Sequence, residues 1–191
     1  MRKIAFLLII LMTGIINAQL KVNENGSVYY EEVVETKKSI SEVHDAIEQF
    51  LATNSGNSNY TIKINEDDKI LSKGNINVIG PNKLEVVLNT EFKPGRYRIL
   101  MDPISWNGKF PLAPEMNFDK GKAKEEMKQM YINKGMEKTY NKKDEKGEID
   151  SDIQEFVDMQ TMLYDKAKEK LNSFATSLKE YVSNYKKDSD W

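Results

Sequence analysis

The chain has 191 residues, with 28 Lys and Arg against 30 Asp and Glu, and so a formal net charge of −2 at pH 7. That balance does not fit a nucleic-acid-binding protein, which needs a basic surface. The sequence contains no cysteine, which excludes disulfides, thiolate nucleophiles and thiolate metal sites.

The first 18 residues have the pattern of a secretory signal peptide. Arg2 and Lys3 precede an apolar run that begins at Ile4, and Ala18 supplies a small residue at the cleavage position. The run is shorter than the ~20 residues that span a bilayer, which disfavours an uncleaved anchor. Cleavage removes two basic residues and no acid, so the formal net charge changes from −2 to −4. We expect export to the periplasm or the exterior of a Gram-negative-type bacterium, with no transmembrane segment after signal removal.

A strand and a helix are predicted after a short N-terminal tail at 19–26. Residues 27–35 (SVYYEEVVE) are rich in Val and Tyr, which predicts a strand. Ser39-Ile40-Ser41-Glu42 then matches a capping box and starts a helix. The apolar residues of this helix fall on one face at helical spacing: Ile40, Val43, Ile47, Phe50 and Leu51.

Four short strands are predicted next, separated by turns. The strands cover 60–65, 69–79, 84–92 and 96–101, and Pro94 before Gly95 suits a type II turn between the last two. The order β-α-β-β-β-β over residues 27–104 predicts an α+β fold. In it, a curved antiparallel meander packs against helices.

Residues 105–150 are predicted to form a loop and a Lys-rich, partly helical segment. Three of the five prolines fall in 102–118, which predicts a loop there. Residues 120–143 are mostly basic and residues 144–158 mostly acidic. We predict that the two segments pair within the chain. The alternative is a basic face for anionic lipid or polysaccharide.

A long amphipathic helix is predicted over 151–187, where apolar residues recur at steps of three and four and neither Gly nor Pro occurs. At 1.5 Å per residue it extends ~55 Å, about twice the length of the predicted strands. Its distal stripe is therefore a candidate partner surface, formed by Leu171, Phe174, Leu178, Val182 and Tyr185. The occupant is either segment 119–140, through Met127, Met130 and Tyr131, or a protein partner or second copy of the chain.

No catalytic, cofactor-binding or metal-binding residues are predicted. His44 is the only histidine and has no second ligand near it in the sequence, so we interpret it as the edge of a packing face. Acid pairs are frequent, but Asp67-Asp68 is explained by a turn and segment 144–152 lacks the ligand spacing of a calcium loop. Hydrolase and phosphate-binding motifs are missing.

Three segments carry a resemblance to a known family: "VYYEEVVETKKSISEVHDAIEQFLA", "DDKILSKGNINV" with its mid-strand Gly74, and "KPGRYRILM". Together they resemble an uncharacterised family of bacterial envelope proteins with a TATA-box-binding-protein-like fold. The resemblance covers residues 27–104 and implies that fold, but it supplies no catalytic residues.

The expected function is that of an exported, non-catalytic envelope protein that binds or scaffolds another molecule. One alternative is a carrier that holds a small apolar ligand between the sheet and the long helix. A second alternative is a hydrolase that uses unidentified carboxylates.

Overall fold

The structure is a computed structural model and describes residues 19–53, 60–113 and 120–186. Seven strands and four helices follow one another along the chain: β1 (Gln19–Val22), β2 (Val28–Glu35), α1 (Ile40–Thr53), β3 (Thr61–Glu66), β4 (Lys69–Ile79), β5 (Asn82–Lys93), β6 (Arg96–Trp106), β7 (Phe110–Pro111), α2 (Lys120–Asn133), α3 (Glu137–Glu145) and α4 (Glu148–Asn184). The predicted α+β class, the antiparallel meander and the long C-terminal helix are confirmed.

All strand pairs of the sheet are antiparallel. The strand order is β1-β2-β6-β5-β4-β3, and β7 pairs with β6. The meander β3–β6 is therefore extended by β2, which comes before α1 in the chain. Residues 19–22 of the predicted tail form an edge strand on β2.

Helices α1 and α4 cover one face of the sheet, which we call the core face. Side chains of β4, β5 and β6 alternate between buried and accessible, as expected for an antiparallel sheet with one face in water. The largest fully buried side chains of this main core include Tyr30, Ile47, Ile70, Leu84, Leu88, Tyr97, Ile99, Met101, Ile104 and Leu171.

The capping box predicted for α1 is present. The Ser39 backbone N–H donates to Glu42 Oε2 at 2.8 Å, and the Glu42 backbone N–H donates to Ser39 Oγ at 3.3 Å. The apolar stripe of the helix faces the sheet, with Val43, Ile47 and Phe50 all buried. The sequence pattern thus located both the start and the buried face of α1.

The loop predicted over 102–118 is wrong at 102–106 and 110–111, which lie in strands. Strand β6 continues through Pro103 to Trp106, and a turn at Asn107-Gly108 returns the chain into β7. Pro103 is tolerated because the β5–β6 register shifts between Val86 and Leu88, so no ladder hydrogen bond is required of it. Residues 112–113 lie outside any strand, as predicted, and residues 114–118 of that prediction lie outside the described ranges.

Helix α4 begins at Glu148, three residues before the predicted start. Gly147 has φ 71°, a left-handed conformation that separates α3 from α4. The Ser151 N–H donates to the Gly147 carbonyl at 3.2 Å, so the predicted cap lies inside the helix.

The distal stripe of α4 is not an exposed surface of the chain, contrary to the candidate partner surface of the sequence. Leu171, Phe174, Leu178 and Val182 belong to the main core, and Tyr185 packs against it. The reason is the position of the helix along the sheet. Its C-terminal half lies on β4 and α1, and its N-terminal half extends past the sheet.

Helices α2 and α3 pack against the N-terminal part of α4, not against the distal stripe. Tyr140, Ile149 and Ile153 form a second, smaller core there, flanked by Met127 and Tyr131. Met130 is 45% exposed, so it does not take the packing role predicted for it.

The predicted pairing of the basic and acidic segments is confirmed. Lys124 Nζ lies 2.6 Å from Asp144 Oδ1 and 3.0 Å from Asp150 Oδ1. Lys143 Nζ lies 3.2 Å from Asp152 Oδ2. The hydrogen bond to Asp144, followed by that to Asp150, raises the pKa of Lys124 above its usual value.

Candidate functional site

The face of the sheet opposite the helices, which we call the open face, is the main candidate surface. No helix in the described ranges lies on it. Its side chains are the partly exposed members of each strand: Tyr29, Glu31, Val33, Leu71, Lys73, Asn75, Glu85, Val87, Asn89, Glu91, Arg98 and Leu100.

Arg98 organises the charges at the centre of the open face. Its Nε and Nη2 lie 3.0 and 2.9 Å from Glu31 Oε1, and its Nη1 lies 3.4 Å from Glu91 Oε2. These contacts arise from the register, because Arg98 pairs with Val33 on one side and Glu91 on the other. A planar guanidinium between two strands holds both carboxylates in place.

Glu31 also accepts a hydrogen bond from Lys21 Nζ at 2.8 Å. This contact, together with the charge of Arg98, lowers the pKa of the Glu31 carboxyl and raises the pKa of the Lys21 ammonium. Glu85 is paired too, with Lys73 Nζ at 2.9 Å. The acids named here on the open face, Glu31, Glu85 and Glu91, are therefore each paired with a cation.

Asn89, on the open-face side of β5, carries a buried side-chain oxygen without a hydrogen-bond donor among the described residues. Its Oδ1 is buried and accepts no hydrogen bond from the described part of the chain, while its Nδ2 lies 3.5 Å from Glu91 Oε1. Asn89 is flanked by Leu71 and Leu100 on the neighbouring strands. Beside it lies a shallow pocket of about 210 Å³, lined by Val33, Glu91, Lys93, Arg96, Tyr97 and Arg98.

A second polar cluster lies on the core face, under the C-terminal end of α4. Glu32 is 8% exposed, accepts a hydrogen bond from the Tyr30 hydroxyl, and lies 2.8 Å from Lys179 Nζ. Burial, followed by the bond to Glu32, raises the pKa of Tyr30. Lys38 Nζ donates to the carbonyl of Tyr185 at the same helix end. Each partner is satisfied, so the cluster anchors α4 to β2.

The role of Glu32 was missed in the sequence, although a signal for it exists. In the strand VYYEEVVE, Val28, Tyr30 and Glu32 alternate on one face, so an acid on the buried side implies a partner. Lys179 is 147 residues away, and no pattern in the sequence connects the two.

His44 lies where the sequence predicted, at the edge of a packing face. Its ring meets the edge of Phe92 at 5.6 Å between centroids, and its Nδ1 is 3.7 Å from Asp45 Oδ1. In the described residues, no group of three or more His, Asp or Glu side chains is arranged to hold a metal ion. Nor is any helix in those ranges both long and apolar enough to cross a bilayer.

Two solved structures are similar to the chain. One is a DUF4468 family protein from Bacteroides ovatus ATCC 8483, with 12% identity and a TM-score of 0.35 over 46% of this chain and 58% of that one. The other is a TBP-like protein from Parabacteroides distasonis ATCC 8503, with 14% identity and a TM-score of 0.45 over 86% of this chain and 97% of that one. No family model and no curated protein matches the chain.

The two descriptions, a family of unknown function and a TBP-like protein, agree with the resemblance found in the sequence. At such low identities and scores, these likenesses assign neither a family nor an activity. The chain covers less than two thirds of the DUF4468 structure.

Proposed function

We propose that this protein is an exported, non-catalytic binding or scaffolding module of the bacterial envelope, and that the open face is its binding surface. The observation that carries the proposal is that no helix in the described ranges covers this face of the sheet, whereas helices α1 and α4 pack tightly on the other face. Polar groups on the open face are held in fixed positions by the Arg98 contacts.

The open face favours binding over catalysis because its carboxylates are already paired. A glycosidase-type hydrolase needs two carboxylates held across a cleft, one of them protonated. Here Glu31 and Glu91 both face Arg98, and the pKa of Glu31 is lowered. The alternative of an apolar carrier has less support, because Leu171, Ala175 and Leu178 fill the contact between α4 and the sheet at 0% exposure.

Site-specific photo-crosslinking in cells tests the binding surface. The photoreactive residue replaces Lys73 or Arg96 on the open face, or Lys168 on the exposed side of α4 as the control. We expect a discrete adduct from both open-face positions and none from position 168. Equal adducts at all three positions, or none at the open face, contradict the proposed surface.

N-terminal sequencing of the protein from the cell envelope tests export. We expect the sequence to begin at Gln19, because the charged and apolar segments before Ala18 have the order of a cleaved signal. Intact Met1 in a membrane pellet contradicts the export proposal. It does not bear on the proposal that the open face is the binding surface.

A further inference from the structure

Three turns at one end of the sheet each expose a large apolar side chain. Phe110 is 67% exposed, Val22 is 50% exposed and Ile79 is 42% exposed. We call these three the tip residues. Val22 precedes the β1–β2 turn, Ile79 precedes the β4–β5 turn, and Phe110 follows the β6–β7 turn.

The strand register places Val22 and Phe110 on the core face. In an antiparallel ladder, directly paired residues point to the same side of the sheet. Val22 pairs with Val28, which is 0% exposed. Phe110 pairs with Trp106, and Trp106 pairs with the fully buried Leu84.

Ile79 belongs to the same face. It pairs with Asn82, which lies two residues before Leu84 on β5 and therefore points to the same side. The three tip residues thus lie on the core-face side of the sheet, and each is accessible to solvent.

The tip residues lie on three different strands, β1, β4 and β7. Ile79 lies on β4 and Phe110 on β7, three strand spacings or roughly 14 Å apart. Protein interfaces are built around a contiguous, well-packed apolar centre. Separate apolar anchors suit a deformable surface such as the bilayer interface, where each side chain enters independently.

The charges beside the tips favour an anionic surface. Exposed lysines adjoin each tip: Lys21, Lys83 and Lys109. Lys21 is paired with Glu31, which leaves two lysines facing solvent. Among the described residues of the turns and the strand ends here, the acids are Glu24 and Glu85, and Glu85 is already paired with Lys73. The local balance is therefore mildly basic, as anionic headgroups require.

We propose that this end of the sheet docks onto an anionic lipid bilayer, with the tip residues in the interface and Lys83 and Lys109 at the headgroups. The proposal does not depend on the open face. That face can bind a partner while the turns contact the membrane.

Trp106 provides a direct reporter, because it pairs with Phe110 and is partly buried. A Trp191→Phe background leaves Trp106 as the only tryptophan. Vesicles of phosphatidylcholine with 30–40% phosphatidylglycerol, on the order of physiological anionic content, are compared with phosphatidylcholine alone. We expect a blue shift of Trp106 emission, and quenching by brominated acyl chains, with the anionic vesicles at low salt.

Substitutions at the tip residues test whether the tips themselves cause the binding to vesicles. Phe110→Ala is expected to weaken vesicle partitioning roughly tenfold, since it removes most of one apolar anchor. Lys109→Glu is expected to weaken it by a similar factor at low salt and to reduce its salt dependence. The matched controls are Met136→Ala, a residue 43% exposed between α2 and α3, and Lys134→Glu beside it. Both should bind as the wild type does.

All variants share one N-terminus, so any contribution of residues 1–18 cancels in the comparison. Wild-type protein that ignores anionic vesicles overturns the proposal, and so do tip variants that partition like the controls. A wild-type dimer that Phe110→Ala converts to a monomer, measured by sedimentation velocity, would assign the tips to a second copy of the chain instead.

Discussion

At the scale of single residues, Gly74 shows why a strand tolerates a residue of low β-propensity. A Cβ at this position would lie 2.5 Å from Cγ and Cδ1 of Tyr60, so the tyrosine ring occupies the space of the missing side chain. The ring in turn stacks on Phe174, with centroids 5.3 Å apart. Gly74 therefore admits an aromatic layer between β4 and α4.

Gly74→Ala should lower the free energy of unfolding by about 1–3 kcal/mol, because the Tyr60 ring is held by Phe174 and cannot move aside freely. Urea denaturation measures the change. The same substitution in a Tyr60→Ala background is the control and should cost much less. Equal costs in the two backgrounds would show that the ring contact is not the cause.

The Glu32–Lys179 pair is the second contact at this scale with a large expected effect. Lys179→Met leaves the carboxylate of Glu32 buried at 8% exposure with one hydrogen bond fewer, which should cost about 3 kcal/mol. Lys166→Met is the matched control on the same helix, since its partner Glu169 is 2.7 Å away but exposed. That change should cost little, because both partners of the pair are exposed to solvent. Chemical denaturation measures the free energy of unfolding of both variants. Similar losses would show that the buried Glu32–Lys179 pair contributes no more than the exposed pair.

At the scale of elements, α4 contributes to two cores of unequal size. Leu171 is fully buried in the main core, whereas Ile153 belongs to a cluster of three buried residues. Helix α2 buries no side chain completely. The helices beyond the sheet should therefore open more readily than the sheet itself.

Leu171→Ala should lower the global free energy of unfolding by about 2–5 kcal/mol, because it leaves a cavity in the main core. Ile153→Ala should instead accelerate amide hydrogen exchange in α2, α3 and the first turns of α4. Exchange measured by mass spectrometry distinguishes the two responses. If Ile153→Ala lowers protection in β4–β6 as much as in α2, the two cores unfold as one.

Elements with a strong local pattern could be predicted from the sequence. Helix α1 carries a capping box, and β4 and β5 carry alternating apolar residues, so local chemistry decides their structure. The end of β6 could not be predicted, because Pro103 forbids a regular strand and only the register shift beside Val86 accommodates it. The surroundings of the α4 stripe depend on where the helix crosses the sheet, which no local pattern encodes.

At the scale of the whole molecule, stability should fall at alkaline pH. Burial raises the pKa of Tyr30, Tyr60 and Tyr97 above the usual value near 10, so these phenols stay neutral in the folded protein. In the unfolded chain they ionise near pH 10. The stabilisation they provide is complete below that pH and is lost as the pH rises toward the folded pKa values.

Each of the three phenols should reduce the free energy of unfolding by up to about 1.4 kcal/mol per pH unit above pH 10. Denaturant unfolding at pH 9, 10 and 11 measures the slope. Tyr60→Phe is the test variant, because the Tyr60 hydroxyl has no hydrogen-bond partner among the described residues. It should leave stability at pH 7 unchanged or slightly higher and make the alkaline slope shallower. An unaltered slope would contradict the assignment to Tyr60.

The candidate binding surface was less predictable than the fold. Its charges come from four strands. Arg98 contacts Glu31 only because β2 pairs with β6, although one helix and three strands separate β2 from β6 along the chain. The sequence identified each strand but not which strands are neighbours at the edge. A surface that depends on the pairing of strands far apart in the sequence can be located only when the order of strands in the sheet is known.

The contact between Glu32 and Lys179 joins residues 147 positions apart, close to the two ends of the described chain. The main core therefore lacks its covering helix until residues 167–182 have left the ribosome. Before that point a nascent chain exposes Ile70, Leu84 and Ile99 and cannot reach its final fold. Late completion is compatible with the export proposed above, because a chain that folds late can pass a membrane channel unfolded, and we expect its exposed strands to be prone to aggregation until α4 covers them.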